Sequence, residues 1–317
     1  MTEPRLALDT PPTHWEIATY EAQGGESIRY GWTPIPKGET RNGIILLLEG
    51  RREFIEKLYE TIRDFEKAGY ACMTFDWPSQ GLSSHYPFAG DPEAKPHHIP
   101  SFDRLVEIVG EFHNRVIPAC FEGHNELPRI LFGHSMGGHL GLRYLADHPK
   151  DFACAGFTAP MISIRLPTPP FLDGLLVSAY PRGDNDYHPG GGNWDTKIYR
   201  KAVPLLTNDA RRGMFHPDFI DANPDLQIGS WTMGTLREAY RSTQILKHQK
   251  IETPTIIFPA DRDILVRSRA SVAFAKAQPA MECVRIKGSY HDLYMESDPI
   301  RNRILDGFLK FVGNHTP

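Results

Sequence analysis

Six short apolar runs, each closed by turn-forming residues, constrain this chain more than anything else in it. They are GIILLLE (43–49), ACMTFD (71–76), RILFGH (129–134), ACAGFTA (153–159), PTIIFP (254–259) and MECVRIK (281–287). Runs this short and this continuously apolar suit strands covered on both faces. Amphipathic stretches lie between the early ones. EFIEKLYETIRDFEKAG (53–69) carries Phe54, Ile55, Leu58, Ile62 and Phe65 at helical spacing and closes on Gly69. Strand, helix, strand alternation predicts an α/β protein with a mostly parallel central sheet flanked by helices.

The alternation stops between residues 161 and 235, where Pro, Gly and aromatic residues take over, as in RLPTPPFLDGLLVSAYPRGDNDYHPGGGNWD. An irregular stretch of that length inside a compact domain is usually functional, so it is expected to be an inserted cap (lid) region. The core would then be assembled from residues 1–160 and 236–317. Within the cap, Leu166, Phe171, Leu175, Leu176, Phe215 and Trp231 could line a channel for an acyl chain or equally form the cap's own packing.

Composition narrows the partners. A formal charge of -4 over 317 residues, with no run of Lys or Arg longer than two, gives nucleic acid nothing to hold. Cys72, Cys120, Cys154 and Cys283 are scattered without CxxC spacing, which argues for free thiols rather than a zinc site or a disulfide framework. The acidic, proline-bearing start MTEPRLALDTPPTHWE is unlike an export signal. No apolar run reaches the roughly 18 residues of a membrane span. The expected compartment is the cytoplasm, with at most peripheral membrane contact.

The chemistry is concentrated in LFGHSMGGHL (131–140). A strand ending at Gly133–His134 and a helix starting near Met136 would force Ser135 into a tight corner, with Gly133 and Gly137 at points of close backbone approach. The helix start aims free N–H groups at any negative charge forming there. Serine is a weak nucleophile by itself and needs a base. For this turn type the chain order is nucleophile, acid, histidine. ADRDILV (260–266) offers Asp261 and Asp263 just past a strand, and Asp263 is the preferred acid. His291, in GSYHDLYMESD past the last run, is the expected base: it would take the Ser135 proton while Asp263 fixes its tautomer. Two backbone N–H groups, from Met136 and from Arg51 in LLLEGRREF (46–54), are the expected oxyanion hole, with Glu49 expected to point away from it.

These motifs together resemble the α/β-hydrolase superfamily, and within it the lysophospholipase and monoacylglycerol lipase group. GHSMGG (133–138) is similar to that group's nucleophile turn and FDWPSQGLSS (75–84) to its FDxxGxGxS segment. EGRREFIEKLYETI is similar to the bacterial lysophospholipases, and the similarity runs on through TAPM (158–161), DYHPGG, LLTND, ADRDILV and GSYHDLYMESD. The resemblance implies an α/β-hydrolase fold with a cap, the nucleophile at Ser135, the acid at Asp263 and the base at His291. It also marks two departures. Glu49 stands where His or Pro is usual, and Trp77 and Gln80 replace a His-rich pattern, both of which bear on the polar end of the substrate.

Two other features carry less. Adjacent His97 and His98 rarely reach one ion together, and no metal site is expected. PGGGN (189–193) lacks the preceding strand and the GK[ST] of a phosphate cradle. The expected activity is serine-dependent cleavage of a carboxylic ester without a cofactor, on a small-molecule ester or a lipid with one acyl chain. The alternatives are a general short-chain carboxylesterase or peptidase of the same fold, and a ligand-binding module without catalysis.

Overall fold

The computed structural model describes residues 7–89 and 95–316. The first six residues of the acidic N-terminal stretch lie outside the described residues. Eight strands form one sheet: β1 (Glu16–Glu21), β2 (Ser27–Trp32), β3 (Ile44–Leu48), β4 (Ala71–Phe75), β5 (Arg129–His134), β6 (Cys154–Thr158), β7 (Thr255–Phe258) and β8 (Met281–Cys283). Their order is β1-β2-β4-β3-β5-β6-β7-β8. From β4 to β8 every pairing is parallel, whereas β1 and β2 add an antiparallel edge.

All six apolar runs became strands. β3, β4, β6 and β7 are buried at every position, as a parallel sheet covered on both faces requires. Each Leu or Ile so buried contributes about 1.5–3 kcal/mol relative to exposure. The β1–β2 hairpin is the part the sequence reading lacked. EIATYE is half-exposed and mixes polar with apolar residues, so an apolar run was the wrong signal for it. β8 closes the other edge with only three residues.

Ten helices are described: α1 (Tyr59–Lys67), α2 (Phe102–Glu111), α3 (Ile117–Cys120), α4 (Ser135–Asp147), α5 (Asp173–Ala179), α6 (Thr196–Ala202), α7 (Ala210–Ala222), α8 (Met233–Leu246), α9 (Ser268–Lys276) and α10 (Asp298–His315). The expected helix over 53–69 begins with a 3-10 turn at Ile55–Leu58 and ends at Gly69, whose φ of +88° would strain other residues. Among the described residues none of these helices is long and apolar enough to cross a membrane.

Between β6 and β7 the described residues hold helices and no strand. One part of this stretch is fastened firmly. Arg212 of α7 is buried and pairs with Glu60 of α1 (2.6 Å), with Asp298 of α10 (2.7 Å) and with the carbonyl of Glu296 (2.8 Å). The part around α5 differs, since Phe171 is 82% exposed and Leu175 67%.

The strand order reverses at β3. The connection after β3 leads to β4 on one side, and the next crossover places β5 on the other. Open α/β sheets bind ligands outside the carboxyl ends of strands at such a point.

Candidate active site

The β5–α4 turn is as tight as its glycines suggested. A β-carbon on Gly137 would lie 2.3 Å from the carbonyl oxygen of Leu48, and one on Gly133 would lie 3.1 Å from the backbone of Gly137. Between them Ser135 takes a left-handed φ of +50°, a strained conformation for a serine. Its carbonyl accepts from the Met161 N–H at 2.9 Å, which holds the corner. The side chain is 8% exposed, more covered than a hydroxyl held out into solvent would be.

Three side chains from separate loops converge there. His291 Nε2 lies 3.0 Å from Ser135 Oγ, and His291 Nδ1 lies 2.7 Å from Asp263 Oδ2. The other Asp263 oxygen accepts from the N–H groups of Leu265 (2.8 Å) and Val266 (2.9 Å). Burial opposes the charge on Asp263, but the facing His291 and these N–H donors outweigh it and hold the carboxyl below its ordinary range. Asp261 is turned elsewhere: it pairs with Arg285 (2.9 Å) and accepts from the Gly288 N–H (3.1 Å). Of the two acids the sequence offered, only Asp263 reaches the histidine.

Burial by itself would push the His291 pKa down. Asp263, and behind it Asp292 and Glu53, reverse the sign and raise it above the ordinary value of 6.5. The two supporting carboxylates belong to a buried network that sequence reasoning missed. Lys57 Nζ bridges Glu53 Oε1 (2.8 Å) and Asp292 Oδ2 (3.1 Å), so it ties the loop after β3 to the loop that carries His291. Burial disfavours the Lys57 charge, yet the two carboxylates keep its pKa well above the usual lysine value. Glu53 also accepts from the Tyr294 hydroxyl and the Gly50 N–H. The spacing of Glu53 and Lys57, one helical turn apart, was the available signal.

His134, His291 and Asp292 offer atoms within 4.8 Å of one another, close enough for a metal ion. Both ring nitrogens of His291 face Ser135 and Asp263, and Asp292 is paired with Lys57. The cluster therefore reads as support for the relay. His97 and His98 also diverge, as expected: His97 Nδ1 accepts from the Trp231 indole (3.1 Å) while His98 meets Thr232 Oγ1 (3.0 Å).

The loop after β3 packs on the start of α4. The N–H of Met136 belongs to the first turn of α4, where no intrahelical acceptor exists. The Arg51 N–H has no protein acceptor among the described residues. Trp77 and Gln80, the departures from the family pattern, brace this loop. The Trp77 indole donates to the Glu49 carbonyl (2.9 Å), and Gln80 Nε2 reaches Glu49 Oε2 (3.1 Å), the Gly50 carbonyl (3.0 Å) and the Glu53 carbonyl (3.1 Å). Glu49 is fully buried. Desolvation, then the charges of Asp76 and Glu53, push its pKa well above the ordinary carboxylate value, which favours its neutral form.

The six apolar residues considered for an acyl channel do not form one lining. Phe171 and Leu175 face solvent. Phe215 packs with Phe54, Phe219 and the Ile220–Leu226 cluster. Trp231 is buried against His97 and Arg51. Leu166 borders a cavity of about 1170 Å³ that runs past Asp263 and is rimmed by Arg165 and Arg267. Leu176 is half-buried on α5. Irregular spacing concealed this division.

Comparison with known proteins agrees with the fold. The chain is 26% identical over 294 residues to lysophospholipase L2 of Escherichia coli, covering 88% of this chain and 83% of that one. It is 23% identical over 308 residues to a monoacylglycerol lipase of Mycolicibacterium smegmatis, covering 94% and 96%. The crystal structure of a soluble variant of monoglyceride lipase from Saccharomyces cerevisiae, in complex with a substrate analog, superposes with a TM-score of 0.72 at 19% identity, covering 99% of each chain. The model of the family described as serine aminopeptidase, S33 matches residues 39–298. The chain belongs to that family and is a serine hydrolase of the α/β-hydrolase fold.

Proposed function

We propose that this protein cleaves the carboxylic ester of a lipid carrying one acyl chain, a lysophospholipid or a monoacylglycerol, through an acyl-enzyme on Ser135. The observation that carries the reading is the unbroken hydrogen-bonded relay from Ser135 through His291 to Asp263. His291 takes the hydroxyl proton as Ser135 Oγ attacks the ester carbon. The N–H groups of Arg51 and Met136 receive the oxyanion. Collapse of the tetrahedral species breaks the bond to the alcohol oxygen, which leaves with the proton from His291. Water then gives its proton to His291 and attacks the acyl carbon, releasing the fatty acid and restoring Ser135.

The lipid class is supported by the names of the relatives, a lysophospholipase and a monoacylglycerol lipase. In this reading residues 161–235 are a cap over a core built from 1–160 and 236–317, with at most peripheral contact to a membrane. The family description also names an aminopeptidase. Such an enzyme must hold a protonated α-amine, which calls for a free carboxylate near the nucleophile. Here the loop beside Ser135 presents Arg51 and Arg52, while Glu49 is buried against Gln80 with its pKa raised and Glu53 is engaged by Lys57. That charge balance favours an ester over an amino-terminal peptide.

The test is turnover of p-nitrophenyl esters of increasing chain length and of monoacyl lipids, together with labelling by a fluorophosphonate. Wild type is expected to be labelled and to prefer long chains, and Ser135→Ala to lose both labelling and turnover while keeping its melting temperature. Preference for short chains would favour a general esterase. Absence of labelling and turnover would favour a binding module.

A further inference from the structure

The loop after β3 carries two guanidinium groups, and among the described residues neither is paired with an anion. Arg51 makes no hydrogen bond or ion pair among the described residues, and its Nε is closed off from solvent without a partner. The Trp231 ring lies 5.1 Å from the guanidinium. Arg52 meets neutral acceptors alone, the Gly229 carbonyl (3.0 Å) and Ser230 Oγ (3.3 Å), with the Trp194 ring 6.0 Å away. The carboxylates of the same loop are spent elsewhere. Glu53 is engaged with Lys57 and Tyr294, and Glu49 is turned to Gln80.

Two histidines beside these arginines show the same deficit. Among the described residues His97, 0% exposed, has no partner for its Nε2, and His216, 2% exposed, has none for either ring nitrogen. His97 is hydrogen-bonded to the Trp231 that carries Arg51, and His216 lies 5.9 Å from the Trp194 that faces Arg52. Buried polar groups are normally paired, and a buried cation without an anion is costly. Four side chains left short of acceptors at one place are a set of donors awaiting an acceptor. Burial, and for Arg51 the neighbouring Arg52, depress both guanidinium pKa values, the sign expected of cations without a counter-charge among the described residues.

We infer that Arg51 and Arg52, with His97 and His216 as neutral N–H donors, form a subsite for the phosphate group of the substrate. The planar fork of a guanidinium matches the oxygens of a phosphate, and burial makes that match stronger than it would be in water. A glycerophospholipid carries its phosphate one glycerol backbone away from the ester carbon, and Arg51 belongs to the loop proposed to supply the oxyanion N–H. The inference rests on the ester-hydrolase reading and selects within it the phosphate-bearing lysophospholipid over the uncharged monoacylglycerol.

Two measurements test it separately from turnover and through turnover. Titration of Ser135→Ala protein with glycerol 3-phosphate is expected to show saturable binding that falls at least about tenfold when Arg51→Met or Arg52→Met is added, with Arg52→Lys in between. In the active enzyme, the ratio of kcat/KM for a lysophospholipid to that for a monoacylglycerol of the same chain, in the same mixed micelles, is expected to fall about tenfold in Arg52→Met. A parallel loss on both substrates, or binding of glycerol 3-phosphate that ignores the arginines in folded variants, would overturn the inference. Arginine-dependent binding without turnover of either lipid by wild type would instead sink the esterase reading and leave the anion site standing.

Discussion

The two walls of this site differ in how their polar atoms are used. On the wall built from the loops after β5, β7 and β8, the relay is saturated: both nitrogens of His291 are engaged, and both oxygens of Asp263 accept hydrogen bonds. On the wall facing Trp194 and Trp231, Arg51 Nε, His97 Nε2 and both nitrogens of His216 have no partner among the described residues. The contrast separates two tasks. Bond-making groups must be fixed before the substrate arrives, because reorganising them would consume the rate advantage. Recognition groups can be left incomplete, since the ligand finishes them.

The sharpest way to break this comparison is at the saturated wall. Asp263→Asn keeps the shape but cannot hold the correct His291 tautomer, and kcat for ester hydrolysis is expected to fall about 10⁴-fold. Asp261→Asn touches only Arg285 and the Gly288 N–H, so its loss should stay within a few-fold, roughly the scale of a surface change. Steady-state rates of both variants check this. A reversed order would mean that the acid has been assigned to the wrong residue.

The buried network behind the relay should fail thermodynamically. Lys57→Met leaves Glu53 and Asp292 facing each other without their cation, and a buried pair broken on one side costs about 3–5 kcal/mol. Urea unfolding measures it. A loss below about 1 kcal/mol, the scale of exposed pairs, would show that the network is far better solvated than its burial implies.

How much of this was legible in the sequence depended on whether the signal was local. The six apolar runs announced β3 to β8, and the crowding of Gly133 and Gly137 announced the strained turn at Ser135, because both are properties of neighbouring residues. The β1–β2 hairpin escaped because a half-exposed edge mixes polar and apolar residues. The lone acid Asp292 escaped because its meaning comes from Lys57, 235 positions away. Phe171 and Trp231 looked alike in composition, yet one faces solvent and the other is buried, and irregular spacing holds no record of which face is inward.

The pH profile refines the saturated wall. His291 must be neutral to accept the serine proton, so kcat/KM is expected to climb with pH through a pKa above 6.5. Asp292 stabilises the imidazolium, so Asp292→Asn removes a reason for the proton to stay. The ascending limb should therefore move to lower pH, read from kcat/KM measured across the acid range. A limb that stays in place would mean that Asp292 acts on Lys57 alone.

The smallest expected effect concerns the residue that looked most troublesome. A charged carboxylate at Glu49, next to the oxyanion site, would repel the developing negative charge. Burial comes first among the causes that favour its neutral form, and Asp76 and Glu53 add to it. A protonated acid and an amide have nearly the same shape, and Gln80 already contacts one oxygen. Glu49→Gln is accordingly expected to change kcat at pH 7 by less than about twofold, a small fraction of the 1.36 kcal/mol that a tenfold effect would need. As pH rises through the elevated pKa, wild type gains a charge that the variant cannot, so any alkaline decline in kcat should be shallower in Glu49→Gln. A tenfold loss at pH 7 would show that the ionised carboxylate is part of the machinery, and the protonated assignment would have to be abandoned.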